Sequence, residues 1–211
     1  MLLPNQRLPP PSSAAKLSSF HVLVVCTGNI CRSPAAELLL RRGLDQRWGQ
    51  LGADAVTVGS AGLGCYDGWP VDPPVAELLQ ELDVNGWKAF RSRTLTDSLV
   101  TAADLILTAT RGHRFRIGEQ WPAAYRRAFA LGEAAELLRQ LDLAALPTSS
   151  DDRNRALVDW LADERGVRQI ADNYDLADPY GRRTADYREM MQRVVPMTQV
   201  IVDAMAPAPP E

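Results

Sequence analysis

Short apolar runs recur along the chain, and polar or glycine-containing segments separate them. The first run, His-Val-Leu-Val-Val at residues 21–25, is rich in β-branched residues and is typical of a strand buried on both faces. Similar runs predict strands at residues 55–58, 105–107 and 128–131. We expect the segment at residues 59–62, Gly-Ser-Ala-Gly, to break the second strand.

Between these strands, apolar residues recur at helical spacing or follow signals that start a helix. Ser33 suits an N-cap, and Pro34 then takes the first helical position, where a missing N–H costs nothing. Asp72 before Pro73 marks the start of a second helix, and Thr96 is a suitable cap for a third. We predict the remaining helices at residues 96–103, 133–141, 156–161 and 184–205.

Strands that alternate with helices predict an α/β fold with a parallel sheet and right-handed crossovers. In such sheets the ligand site lies at the carboxyl ends of the strands. The segment that begins at Cys26 follows the first strand directly, so we expect the chemistry there. One domain accounts for residues 20–205, while the Pro- and Ser-rich residues 1–19 and the end at 206–211 are expected to be a disordered leader and tail.

The composition of the 211-residue chain narrows the setting in which it works. A net charge of −3 argues against broad nucleic-acid binding, although a single anion pocket needs only local positive potential. Three cysteines do not suggest a secreted disulfide framework, so we expect a cytoplasmic protein. The apolar runs are too short to cross a bilayer, and no membrane partner is expected.

The segment from Cys26 to Ser33 combines the residue types that an oxyanion site needs. Cys26 lies just before a predicted helix N-terminus, where backbone N–H groups and the helix dipole favour the nucleophilic thiolate. Gly28 and Asn29 tolerate positive φ angles, so the loop can curl and aim successive N–H groups at one point. A concavity of that kind binds a tetrahedral oxyanion.

Arg32, six residues after Cys26, adds a planar fork that can hold two phosphate oxygens at once. Ser33 can donate a hydrogen bond to the thiolate and assist its later departure. Together these groups favour attack on a phosphate ester through a cysteinyl-phosphate intermediate. The alternative interpretation, a buried cysteine beside an ordinary turn, is disfavoured by the strand before the loop and the Ser-Pro pair after it.

The run Val-Cys-Thr-Gly-Asn-Ile-Cys-Arg-Ser-Pro-Ala-Ala-Glu at residues 25–37 resembles the signature of the low-molecular-weight protein tyrosine phosphatases. Segments 59–62, 104–107 and 178–180 fall in the order of that family, with a divergent stretch around 148–171. The resemblance implies a single domain with a four-stranded parallel sheet flanked by helices, of the phosphotyrosine phosphatase I-like fold with flavodoxin-like layering. It also implies that the protein uses no metal or organic cofactor.

The resemblance further implies a role for each matching residue. Cys26 would be the nucleophile, Arg32 would clamp the phosphate, and Asp178 would be the general acid that later activates water. Tyr180 would line the pocket wall, and an additional aromatic residue is expected at either Tyr66 or Trp69. The matching substrate-binding residues are Thr27, Gly28, Asn29, Ile30, Cys31, Ser33 and Tyr180.

Several residues near this site keep two interpretations. In the family, a pair such as Cys26 and Cys31 resembles a reversible disulfide that protects the nucleophile, and the alternative is that Cys31 packs behind the loop. Cys65 is expected to be an inert thiol, with a third redox partner as the alternative. His113 is interpreted equally as a surface or a functional residue. The nearby arginines 111, 114 and 116 are expected to form a solvated helix face rather than a site for acidic phosphopeptides.

Four functions can use an oxyanion loop of this kind. We prefer a phosphatase for phosphotyrosine proteins, among which family analogy suggests a tyrosine kinase. An arsenate reductase would need a cysteine pair after the third strand, and the chain has no cysteine beyond Cys65. Related arginine-phosphate phosphatases carry Thr where Ile30 stands, and an apolar residue there fits an aryl substrate better. A non-catalytic phosphate-binding module would usually lack the nucleophile or the acid.

Overall fold

The structure, a computed structural model, describes residues 20–48, 56–170 and 172–206, without the side chain of Asp151. Within these residues, four parallel strands form one sheet in the order β2-β1-β3-β4. The strands are β1 (Phe20–Cys26), β2 (Val56–Gly62), β3 (Leu105–Thr108) and β4 (Ala128–Ala130). The predicted α/β class with a parallel sheet is therefore confirmed.

Helices and two short 3₁₀ segments cover the sheet. The helices are α1 (Arg32–Trp48), α2 (Pro73–Glu81), α3 (Asp97–Ala102), α4 (Arg111–Gln120), α5 (Leu131–Leu138), α6 (Ser150–Glu164) and α7 (Thr184–Met205). The 3₁₀ segments span Pro122–Arg127 and Leu143–Ala145. No helix in these parts of the chain is long and apolar enough to span a membrane.

The central strand β1 is buried on both faces, as its apolar run predicts. Val22 and Val24 pack into a core that includes residues of α1, α2, α5, α6 and α7. Leu23 and Val25 pack into a second core with α3 and α4. Since successive side chains of a strand point to opposite faces, the two cores lie on the two sides of the sheet.

The second strand is longer than predicted. Residues 59–62 do not break it, because Gly59–Gly62 pair in register with Leu23–Cys26 of β1. A Cβ atom on Gly62 would lie only 2.6 Å from the carbonyl oxygen of Thr27, so this glycine permits the close approach of the loop after β1. The prediction at Ala55 lies outside the described residues.

Most predicted helices are confirmed with shifted bounds. The helix predicted at 156–161 is α6, which begins at Ser150, and the helix predicted at 133–141 is α5, which begins and ends earlier. The predicted leader at 1–19 and the predicted tail from 207 onwards lie outside the described residues. Ala206, assigned to that tail, is fully buried directly after α7.

Candidate active site

The loop between β1 and α1 curls around the thiol of Cys26. This side chain is 2% exposed, and its Sγ accepts a hydrogen bond from the backbone N–H of Asn29 at 3.3 Å. The hydroxyl of Ser33 lies 3.0 Å from the same sulfur. Asn29 makes the turn with a φ of 51°, whereas Gly28 does not adopt a positive φ, so the left-handed residue expected in the loop is Asn29 alone.

A chain of buried hydrogen bonds supports this loop from behind. The side-chain amide of Asn29 donates to Ser33 Oγ at 2.9 Å and to Ser60 Oγ at 2.7 Å. Ser60, on β2, in turn donates to Glu37 Oε2 at 2.6 Å, and burial raises the pKa of that carboxyl. Because Ser33 already accepts from Asn29, its own proton is free to point at the sulfur of Cys26.

Arg32 is 5% exposed and its guanidinium faces the loop and a distant segment of the chain. Nη2 donates to Asp178 Oδ2 at 2.6 Å, and Nη1 donates to the carbonyl of Leu176 at 3.3 Å. Its Nε is buried and has no hydrogen-bond partner among the described residues. The guanidinium is thus fixed in orientation by two of its five N–H groups, and the second N–H of each terminal nitrogen is not used by these contacts.

The segment that carries Asp178 is held by the start of α4. The backbone N–H of Leu176 donates to the carbonyl of Ala109 at 3.0 Å, and that of Arg111 donates to Asp175 Oδ1 at 2.7 Å. Asp178 itself remains 48% exposed, so its carboxyl is both tied to Arg32 and open to solvent. The structure therefore brings together the three residues predicted to be catalytic.

A cavity of about 280 Å³ opens above the thiol. The aromatic rings of Tyr66 and Trp69 form one wall and stack on each other with centroids 5.9 Å apart. Tyr180 lines the cavity as predicted, and both aromatic candidates contribute rather than one of them. The remaining lining residues are Cys26, Thr27, Gly28, Ile30, Cys31, Arg32, Gly64, Cys65 and Asp178.

Cys31 differs from Cys26 although both lie in the same loop. Its S–H donates to Asp72 Oδ2 at 3.5 Å, and Asp72 also accepts from the hydroxyl of Tyr187 at 2.6 Å. Burial and the neighbouring carboxylate raise the pKa of the Cys31 thiol, which favours the neutral form. Cys26 and Cys31 are both free thiols, as is the half-buried Cys65 on the cavity wall.

Sequence reasoning did not assign His113, which is buried beside the loop rather than exposed on the surface. Its Nε2 lies 2.9 Å from Thr27 Oγ1, and its Nδ1 lies 2.8 Å from Thr110 Oγ1. Burial, together with the positive charges of Arg32 and Arg116, lowers the pKa of His113 to about 4. The neutral imidazole therefore connects α4 to the Cys26 loop at neutral pH.

The arginines at the start of α4 do not form a uniformly solvated face. Arg111 pairs with Asp172 and Asp175, and its guanidinium lies 4.9 Å from the ring centroid of Tyr174. Arg114 donates to both carboxylate oxygens of the buried Glu133. These pairs give the two arginines structural roles in anchoring α4.

The known proteins that resemble this chain in sequence include several phosphatases of one family. Residues 21–144 match the family model of the low molecular weight phosphotyrosine protein phosphatases. A probable low molecular weight protein-tyrosine-phosphatase, EpsP of Ralstonia nicotianae, is 39% identical over 125 residues, which are 58% of this chain and 75% of that protein. The phosphatase Wzb of Escherichia coli K12 is 36% identical over 114 residues, covering 53% of this chain and 69% of Wzb.

Solved structures extend the similarity in fold beyond the matched sequence. The arginine phosphatase YwlE from Geobacillus stearothermophilus superposes with a TM-score of 0.61 at 24% identity, over 87% of this chain and 91% of that chain. Asp178 and Tyr180 lie beyond the end of the family-model match at residue 144, but the fold places them at the Cys26 loop. The chain belongs to the low molecular weight phosphotyrosine protein phosphatase family.

Proposed function

We propose that the protein hydrolyses phosphotyrosine in protein substrates through a cysteinyl-phosphate intermediate on Cys26. The observation that supports this most is the convergence of three groups on one cavity with aromatic walls. The thiol of Cys26 lies at its floor, with the guanidinium of Arg32 and the carboxyl of Asp178 among its lining. Each group has a separate task in a two-step displacement.

In the first step, the phosphate of the substrate binds to the N–H groups of the loop and to Arg32. The Cys26 thiolate attacks phosphorus, forming an S–P bond as the bond between phosphorus and the phenolic oxygen breaks. Asp178 donates its proton to that oxygen, so tyrosine leaves as a neutral phenol. Arg32 and the backbone donors stabilise the charge on the phosphate oxygens in the transition state.

In the second step, the Asp178 carboxylate accepts a proton from water while the water oxygen attacks phosphorus. The S–P bond breaks, inorganic phosphate is released and the Cys26 thiolate is restored. The hydroxyl of Ser33, 3.0 Å from the sulfur, stabilises the departing thiolate. Asn29 keeps this hydroxyl directed at the sulfur by occupying its acceptor side.

The cavity supports an aryl ester in preference to an arginine phosphate. A protein-arginine-phosphatase of Geobacillus stearothermophilus is 34% identical over 112 residues, so phosphoarginine is the specific alternative. Here the apolar Ile30 lines the cavity, and Tyr66, Trp69 and Tyr180 supply ring surface. Flat apolar walls of this kind suit a phenyl ring.

The test compares the wild-type protein with Cys26→Ser on matched phosphotyrosine and phosphoarginine peptides. We expect hydrolysis of the phosphotyrosine peptide by the wild type and loss of at least about 10³-fold in the variant, because the thiolate is the nucleophile. Equal rates in the two proteins would exclude the cysteine mechanism. Faster hydrolysis of phosphoarginine would exclude the aryl preference, and thioredoxin-dependent turnover of arsenate would favour a reductase.

We also propose that the protein works in the cytoplasm on a phosphotyrosine protein, for which a tyrosine kinase is a candidate. Free thiols support a reducing compartment, since the proposed reaction requires Cys26 to remain reduced. Recovery of activity from a cytoplasmic fraction without added reductant would support this location. Recovery only from an oxidising compartment would contradict it.

A further inference from the structure

The aromatic loop, residues 63–69 after β2, carries the wall formed by Tyr66 and Trp69 and is attached to a separate segment at residues 92–94. Ser92, between α2 and α3, is 2% exposed and lies behind the loop rather than in the cavity lining. Its hydroxyl donates to the carbonyl of Tyr66 at 2.6 Å and accepts from the N–H of Trp69 at 2.9 Å. One buried hydroxyl thus contacts the backbone of both residues whose rings form the wall.

Backbone and side-chain contacts around Ser92 reinforce the attachment. Its N–H donates to the carbonyl of Trp69 and its carbonyl accepts from Gly68, both at 2.8 Å. Two residues further on, the N–H and hydroxyl of Thr94 donate to Asp67 Oδ1 at 2.6 and 2.7 Å. Gly68 has a φ of +88°, which lets the chain turn between these contacts.

Arg93, which lies between Ser92 and Thr94, supports the loop that carries Cys26. The N–H of Arg93 donates to Asn29 Oδ1 at 2.9 Å, and its Nε donates to the carbonyl of Ser60 at 2.8 Å. The three-residue segment therefore serves two loops: Ser92 and Thr94 hold the aromatic loop, and Arg93 holds the Cys26 loop. Different residues of this segment therefore support the part of the site that would contact an aryl ring and the part that would contact a phosphate group.

We propose that Ser92 is a positioning residue that determines how tightly the site binds the aryl part of its substrate. By fixing the backbone of Tyr66 and Trp69 before substrate arrives, it lowers the entropy lost when the ring is bound. The Cys26 loop keeps its own support through Arg93. This proposal rests on the proposed aryl phosphatase function and adds the residue that sets its ring affinity.

The alternative is that Ser92 only satisfies the backbone of a turn and stabilises the fold generally. A pair of competitive inhibitors distinguishes the two roles. Inorganic phosphate occupies the Cys26 loop alone, whereas benzylphosphonate also places a ring against the aromatic wall. A residue that positions the wall changes the inhibition constant of benzylphosphonate and leaves that of phosphate unchanged.

The experiment measures both constants, with kcat and KM for an aryl phosphate, for Ser92→Ala, Ser92→Thr and the control Ser98→Ala. Ser98 has an exposed hydroxyl at the start of α3, outside the aromatic loop. For Ser92→Ala we expect the benzylphosphonate constant and KM to rise about fivefold, a size consistent with the loss of one or two hydrogen bonds. The phosphate constant should stay within twofold, and Ser92→Thr, which keeps the hydroxyl, should restore binding.

An equal rise of both inhibition constants, or no rise in either, would overturn the proposal. If Ser92→Ala fails to fold, Thr94→Val decides, because Thr94 is exposed and its hydroxyl holds the same loop through Asp67. This variant should show a smaller rise, confined to benzylphosphonate, and a rise shared with phosphate would again overturn the proposal. Failure of the proposed function would appear separately, as absence of Cys26-dependent hydrolysis in the wild type.

Discussion

The site has two sides that are built differently. On the phosphate side, Cys26, Asn29 and Arg32 are at most 5% exposed. Asn29 donates to the sulfur of Cys26, and Arg32 donates to Asp178. On the aromatic side, Tyr66 and Trp69 are 77% and 47% exposed, and Ser92 holds their backbone rather than their rings. The difference fits the proposed substrate, because a phosphate group has one geometry whereas the protein surface that surrounds a phosphotyrosine varies.

The Cys26 loop holds two thiols whose hydrogen-bond partners differ. Cys26 faces the cavity, where N–H and O–H groups donate to its sulfur. Cys31 donates a hydrogen bond from its S–H to the carboxylate of Asp72, and burial together with this negative charge raises its pKa and keeps the thiol neutral. A neutral thiol is a poor nucleophile, so the contact with Asp72 disfavours rapid disulfide formation with Cys26.

Among variants that keep the Cys26 nucleophile, the largest effect is expected for Arg32→Lys, which keeps the charge and removes the planar guanidinium. We expect kcat/KM for an aryl phosphate to fall by about 10³-fold, because the lysine ammonium cannot reproduce the bidentate clamp. The inhibition constants of phosphate and benzylphosphonate should rise by the same factor. Arg188→Lys, in an exposed ion pair with Glu81, is the control and should leave both unchanged. A rise in the inhibition constant of benzylphosphonate alone would contradict the assignment of Arg32 to phosphate binding.

A smaller and substrate-dependent effect is expected for Asp178→Asn, which keeps the shape of the side chain but cannot transfer a proton. Hydrolysis of phenyl phosphate should slow by about 10²–10³-fold, since a poor leaving group requires the acid. Hydrolysis of p-nitrophenyl phosphate should slow by only about tenfold. A uniform loss for both substrates would contradict the assignment of Asp178 as the general acid.

On the aromatic side, Trp69→Ala should weaken benzylphosphonate binding by about tenfold, because a large ring contact is removed. Phosphate inhibition should be unchanged, as the Cys26 loop keeps its own hydrogen bonds. Phe115→Ala removes an exposed ring of α4 that does not line the cavity, and it serves as the matched control. Equal effects of the two substitutions would show that the wall does not bind the ring.

The smallest effect on turnover is expected for His113→Gln, whose main consequence is on stability against pH. The pKa of His113 is lowered to about 4, so between about pH 6.5 and 4 the unfolded chain binds a proton that the folded chain does not. Its favourable contribution is complete above pH 6.5 and is lost as the pH falls through that window.

Urea unfolding measures this contribution. The free energy of unfolding of the wild type should fall by about 1–2 kcal/mol more than that of His113→Gln between pH 7 and pH 5. Comparing the two proteins removes the effects of other titrating groups that they share. If the free energy of unfolding changes equally with pH in the two proteins, the pKa of His113 is not lowered in the folded state.

The sequence predicted features that depend on neighbours along the chain. The apolar run of β1 and the Ser33-Pro34 pair are local signals, and both the strand and the helix are found. The helix begins at Arg32, however, so Ser33 lies inside it and is not the predicted N-cap. Asp178 was reached only through the family resemblance, because an Asp-Pro pair is by itself a common turn. Sequence reasoning did not identify Ser60, Ser92 and His113 as site residues, since serine and histidine occur in many environments and their partners here lie far away in the chain.

By itself, then, the sequence determined the Cys26 loop, because its strand, its curl and its helix N-terminus all lie within consecutive residues. The tertiary structure decided which distant groups meet that loop. The sheet order places β3 beside β1, which brings His113 to Thr27, and the segment held by α4 brings Asp178 to Arg32 across 146 positions. Residues 92–94 likewise contact both loops because these loops follow β1 and β2, which pair side by side. Local patterns fix local conformation, while contacts between distant segments depend on how the whole core packs.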